Sequence, residues 1–191
     1  MGARQDDKLF LSLVNTLSGQ AVQETYESPI FMQVSSGIGT NLTAACGSST
    51  RAIIGGGSGT INVMGYVTIS TLGNSADFGD LIEARGYACG SSSATRGLFG
   101  GGKNPSLSPS NRNTIDFVTI ATLGNAAEFG DLTEASRAIG TASDCTRAVF
   151  ANGDPGYSAD IDYVQIATTG NGFDFGDSTQ ARRASAGCSN G

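Results

Sequence analysis

The chain has 191 residues, 28 of them glycine, a net charge of −6 and only 15% charged residues; it has room for one ordinary domain or one domain with an appendage. So few Lys and Arg argue against nucleic acid as a partner, because phosphate binding needs clustered cations. The absence of histidine and tryptophan removes the commonest general base and metal ligand and excludes Ser-His-Asp and Cys-His catalysis.

Residues 1–34 belong to no repeat and read as an N-terminal docking arm. Asp6 or Asp7 can cap a short helix in which Leu9, Leu13 and Leu17 share a face with Phe10 and Val14 beside them. A helix that short needs a partner to pack on, so Leu9, Phe10, Leu13, Val14 and Leu17 are the expected partner-docking residues. From Gln20 the segment alternates, is broken by Pro29, and reads as an extended arm. No run is long and apolar enough for a transmembrane helix, and membrane insertion is not expected.

From residue 35 the chain repeats itself. Tyr66-Val67-Thr68-Ile69, Gly73-Asn74 and Phe78-Gly79-Asp80 return as Phe117-Val118-Thr119-Ile120, Gly124-Asn125 and Phe129-Gly130-Asp131. They return again as Tyr163-Val164-Gln165-Ile166, Gly170-Asn171 and Phe175-Gly176-Asp177. Each copy also opens with a small-residue strand, then a Thr-Arg pair (Arg51, Arg96, Arg147) leading a short apolar strand into glycines. The pattern predicts an all-β chain of three four-stranded repeats over 35–83, 84–134 and 135–180. Residues 181–191 would add one strand of an incomplete fourth repeat. Self-similarity of this kind marks a repeat architecture, and four short strands per repeat fit a propeller blade.

From Phe-Gly-Asp to the next Thr-Arg the spacing is constant, whereas the loop after the glycines differs in every copy. Variable loops on one face are where binding is expected. The longest contains Lys103, Asn104, Asn111 and Arg112, which are the expected ligand-binding positions.

The glycine doublets Gly55-Gly56 and Gly100-Gly101, the Tyr/Phe-Val-x-Ile strands and the terminal aromatics Phe78, Phe129 and Phe175 resemble Kelch-like blades, without the Kelch tryptophan. The longer string, with its Gly-Asn and following Phe-Gly-Asp, is similar to repeats in structural, tail-fibre or appendage-like proteins of marine and cyanobacterial tailed phages. The resemblance implies a virion location and a non-enzymatic structural or host-attachment role. It also implies partnership with other virion proteins and with a host surface glycan or protein. Three blades fall short of a closed propeller; self-assembly into a homo-oligomer, or completion of the ring by other chains, is expected. A stand-alone propeller lectin or protein-binding module is the alternative.

The repeated carboxylates admit two readings. Asn74, Asp77 and Asp80, with their counterparts in the other copies, are hard oxygen ligands close enough in sequence for calcium. The constant spacing favours structure: the Asn makes a turn, while Asp80, Asp131 and Asp177 accept backbone N–H groups or pair with Arg51, Arg96 and Arg147. No metal, cofactor or catalytic residue is therefore assigned. The four cysteines lack metal-ligand spacing and read as small buried thiols; Cys46 and Cys188 hold the same repeat position, and a last strand covering a neighbouring chain's first blade would bring them near each other.

Overall fold

The computed structural model describes residues 43–57 and 61–187. The expected docking residues Leu9, Phe10, Leu13, Val14 and Leu17, and also Cys188, lie outside them. The described residues form twelve strands and no helix. They are β1 (Ala44–Gly47), β2 (Arg51–Gly55), β3 (Val63–Thr68), β4 (Ala76–Asp80), β5 (Cys89–Ser92), β6 (Arg96–Gly100), β7 (Thr114–Thr119), β8 (Ala127–Asp131), β9 (Gly140–Ser143), β10 (Arg147–Gly153), β11 (Ser158–Gln165) and β12 (Phe173–Arg182). The chain is all-β: three four-stranded antiparallel sheets, each a simple up-and-down succession in chain order.

Local chemistry sets each hairpin. Between the first and second strands of each sheet, one polar side chain accepts two backbone N–H groups. Ser48 Oγ takes those of Thr50 and Arg51, and Ser93 Oγ those of Thr95 and Arg96. Asp144 Oδ1 takes those of Thr146 and Arg147 at 2.9 and 2.6 Å. A side chain that folds back on its own backbone this way makes a tight turn without glycine.

The third and fourth strands share an irregularity at one place in every sheet. Met64 pairs with Gly79 and Gly65 with Asp77, so Phe78 has no partner across the ladder. Phe129 and Phe175 are skipped in the same way. An extra residue in one strand is a β-bulge, which bends the strand and re-aims a side chain. Phe-Gly-Asp is thus a bulge motif.

Two cores lie between the sheets. Ile53, Met64, Phe78 and Leu81 of the first sheet pack on Ala88, Phe99, Val118 and Ile120 of the second unit. Leu98, Ile115, Phe129 and Leu132 then pack on Ile139, Phe150, Val164 and Ile166 of the third. The middle sheet is covered on both faces, which explains why its β7 carries bulky apolar residues on both. The first strands β1, β5 and β9 run beside one another. Their small residues permit close approach: a Cβ at Gly90 would run into the Ala45 backbone. Thr141 Oγ1 and Ser143 Oγ donate to the carbonyls of Gly90 and Ser92 at 2.6 and 2.8 Å. Residues 185–187 lie against β9, with Ser185 beside Gly140 and Gly187 beside Thr141, and the Ala184 N–H donates to Ala138 O.

Candidate functional site: the joint between repeats

The recurring residues meet where one repeat touches the next. In the first joint, Gly124 N and Ala126 N donate to the carbonyls of Phe78 and Asp80, both at 2.8 Å, and Asn125 Oδ1 accepts from Asp80 N at 3.0 Å. In the second, Gly170 N and Gly172 N donate to Phe129 O and Asp131 O, and Asn171 Oδ1 accepts from Asp131 N at 3.1 Å. The Gly-Asn turn of one repeat therefore clamps the bulge of the repeat before it. This close approach requires Gly79 and Gly130: both have positive φ, at 139° and 154°, and a Cβ on either would meet the carbonyl of Gly124 or Gly170.

The repeated arginines complete the joint by a route other than the expected ion pair. Arg51 stacks over the Tyr66 ring at 4.6 Å and donates from Nη1 to Ile120 O at 2.6 Å. Arg96 stacks over Phe117 at 4.5 Å and donates to Ile166 O at 2.8 Å. Arg147 stacks over Tyr163 at 4.6 Å. Among the described residues none of the three pairs with Asp80, Asp131 or Asp177. The physical reason is position. The arginine opens the second strand and lies across the third-strand aromatic, while the Asp closes the fourth strand at the far end of the ladder.

Sequence reasoning missed the carboxylate that pairs in the core. Asp116 sits in the middle of β7, fully buried, 2.8 Å from the equally buried Arg85. Arg85 also donates to Thr114 O and Phe99 O, and Asp116 accepts from Ile82 N at 3.1 Å. Burial pushes the Asp116 carboxyl above its ordinary range, against the downward pull of Arg85. The corresponding Asp162 accepts from Thr133 N at 2.9 Å and from Thr133 Oγ1. Both carboxylates thus hold the strand end of the preceding repeat. The available signal was a charged residue between two apolar neighbours on a strand otherwise built for a core.

The variable loop is held largely by its own polar residues. Lys103 exchanges backbone hydrogen bonds with Gly86, and Asn104 Oδ1 accepts from Ser106 N at 3.0 Å. Asn111 donates to Asp154 O, and Arg112 pairs with Glu83 at 2.8 Å. What faces solvent is the tip, 105–109, including Leu107. Nearby, Arg137 pairs with Asp154 at 2.5 Å. Burial pushes the Asp154 carboxyl up, and Arg137 together with the Gly156 amide more than reverses this, leaving it below its ordinary range.

Cys46 and Cys89 are buried free thiols, and burial raises both, Cys89 to about 12. Among the described residues no three His, Cys, Asp or Glu side chains converge as a metal group would need. No helix there is long and apolar enough to cross a membrane. Compared with known proteins, the chain matches no family model and no curated protein.

Proposed function

We propose that the protein is a non-enzymatic structural component of a tailed-phage particle, a tail-fibre, appendage or decoration protein. In this reading residues 1–34 dock the chain to other virion proteins, and the three sheets are Kelch-like propeller blades presented outward to a host surface glycan or protein. The observation that carries the reading is where the recurring side chains are used. Arg51 and Arg96 and the bulged Phe78 and Phe129 join one repeat to the next by their side chains, and Asp80 and Asp131 do so by their backbone N–H and carbonyl groups. Residues that recur for cohesion suit a protein whose work is to hold a shape. Four-stranded up-and-down sheets with their first strands side by side support the blade reading. The exposed tip 105–109 offers an outward contact on a firmly tied loop.

The test is made on particles. Intact virions purified through a density gradient should carry the chain, and an antibody against the 105–109 tip should label them by electron microscopy. A chain that never co-purifies with particles overturns the reading. A second reading, a stand-alone lectin, is favoured by the same tip with its exposed Leu107. Glycan-array binding by a chain absent from particles would select it.

A further inference from the structure

The two joints inside the chain use the same parts, and each part has a counterpart in the remaining repeat. The face of the first sheet turned away from the second carries the receiving half. Ile69 occupies the position of Ile120 and Ile166, and Val67 that of Val118 and Val164. Ile120 and Ile166 are buried, at 2% and 1% exposure, whereas Ile69 is 40% exposed and Ile54, farther along the same face, 43%. Asn74, in the position of Asn125 and Asn171, makes no hydrogen bond among the described residues. The face of the third sheet turned away from the second carries the other half. Phe175 is 54% exposed where Phe78 and Phe129 are 2% and 3%. Gly176 has open space where Gly79 and Gly130 meet a neighbouring carbonyl. Arg147 lies over its aromatic ring, as Arg51 and Arg96 do, but gives its guanidinium protons to no carbonyl among the described residues.

We propose that these two faces are halves of one further joint and that a second copy of this chain closes it head to tail. The first-sheet face of one copy meets the third-sheet face of the next. Asn74 Oδ1 accepts from Asp177 N of the other copy, Gly73 N and Ser75 N donate to the carbonyls of Phe175 and Asp177, and Arg147 donates to Ile69 O. Phe175, Val149 and Ile161 then share a core with Ile54, Val67 and Ile69. Because different surfaces meet, the contact is heterologous and gives a ring if it closes and a filament if it does not. It differs from the internal joints in its filling, with Ser178 in the place of the core residues Leu81 and Leu132 and Ile54 in that of Phe99 and Phe150; and Gly65 stands where the second and third repeats have Asp116 and Asp162, so the carboxylate that secures the preceding strand is missing. The inference rests on the self-assembly expected of a chain with three repeats, and on nothing concerning the virion.

The experiment measures the mass of the full chain in solution by light scattering and sedimentation, across micromolar concentrations. Two variants each disable one half: Ile69→Asp with Asn74→Ala on the first sheet, and Phe175→Asp on the third. The wild type is expected to be oligomeric, each variant alone monomeric with at least about a tenfold weaker association, and an equimolar mixture of the two to recover a dimer through its one intact pair of faces. Gly65→Asp should tighten association several-fold by restoring the missing carboxylate. A wild type that is monomeric throughout, with both faces covered by its own residues 1–42 or by a foreign partner, overturns the proposal; the virion reading, tested on particles, would survive it. An oligomer unaffected by either variant, or a mixture that stays monomeric, overturns this interface while leaving self-assembly intact. Circular dichroism melts of the variants check that they fold.

Discussion

At the scale of single residues, the informative side chains are those with an identical position and an unequal task. Ser48, Ser93 and Asp144 make the same turn, but only Asp144 titrates. The N–H groups of Arg147 and then Thr146 hold its carboxyl below the ordinary value. A carboxyl depressed in the folded chain stabilises it above the unfolded pKa of about 3.9, and that stabilisation fades as pH falls through the lower folded value. Asp144→Ser keeps the turn and removes the titration. Its melting temperature should therefore fall less steeply than the wild type's below about pH 4; identical acid limbs would refute the turn's contribution. The arginines give a second comparison. Arg96→Ala removes a charge-assisted hydrogen bond and a ring contact and should cost about 1–3 kcal/mol. Arg147→Ala, measured in dilute chain, loses the ring contact alone and should cost less than half as much. Equal losses in urea titrations would mean that the Ile166 carbonyl is immaterial. Arg51 and Arg96 stood out in the sequence because they recur, but the carbonyls they reach, of Ile120 and Ile166, lie 69 and 70 residues away, and no local pattern names them.

At the scale of the element, the fourth strand is decided by its bulge. An unpaired Phe is thrown toward the neighbouring repeat, and the glycine after it admits that repeat's turn. Ala at Gly79 or Gly130 faces both an unfavourable φ and a blocked carbonyl, and should cost at least about 2–3 kcal/mol. Gly176 shares the positive φ, at 126°, but has open space around it. Gly176→Ala in dilute chain should thus show only the backbone part of that loss, read by the same urea titration. Matching losses at Gly79 and Gly176 would show that the clamp adds nothing. The strands themselves were readable from alternation and from turn residues. The bulge was not, because a bulge is a property of two paired strands and its sequence sign, Phe-Gly-Asp, also fits a metal loop or a plain turn.

At the scale of the whole molecule, neighbouring sheets share cores, and the middle sheet belongs to both. Such a chain behaves as a row of units coupled to their neighbours. Phe150 is buried in the core between the second and third sheets. Phe150→Ala should cost about 3–5 kcal/mol, and the loss should be local. Amide exchange is expected to accelerate most in β9 to β12 and least in β1 to β4. Uniform acceleration over all twelve strands would mean one indivisible core. The expected blades and the N-terminal arm belong to the proposed reading, and the arm lies outside the described residues.

By itself the sequence determined that this is an all-β chain of three four-stranded units in which Arg, Phe, Gly and Asp recur; the single extra strand expected over 181–191 is not among them, since the last strand of the third sheet runs on to Arg182 and residues 183–187 form none. Period and turn chemistry act between neighbours in the chain, so one sequence carries them. Only the tertiary structure decided what those residues recur for. It took the repeated arginines away from the repeated aspartates, put Asp116 with Arg85 in the core, and turned Gly-Asn from a hairpin feature into a clamp on the preceding repeat. Those pairings join residues tens of positions apart, and their strength comes from burial between packed sheets, which exists only once the sheets have met.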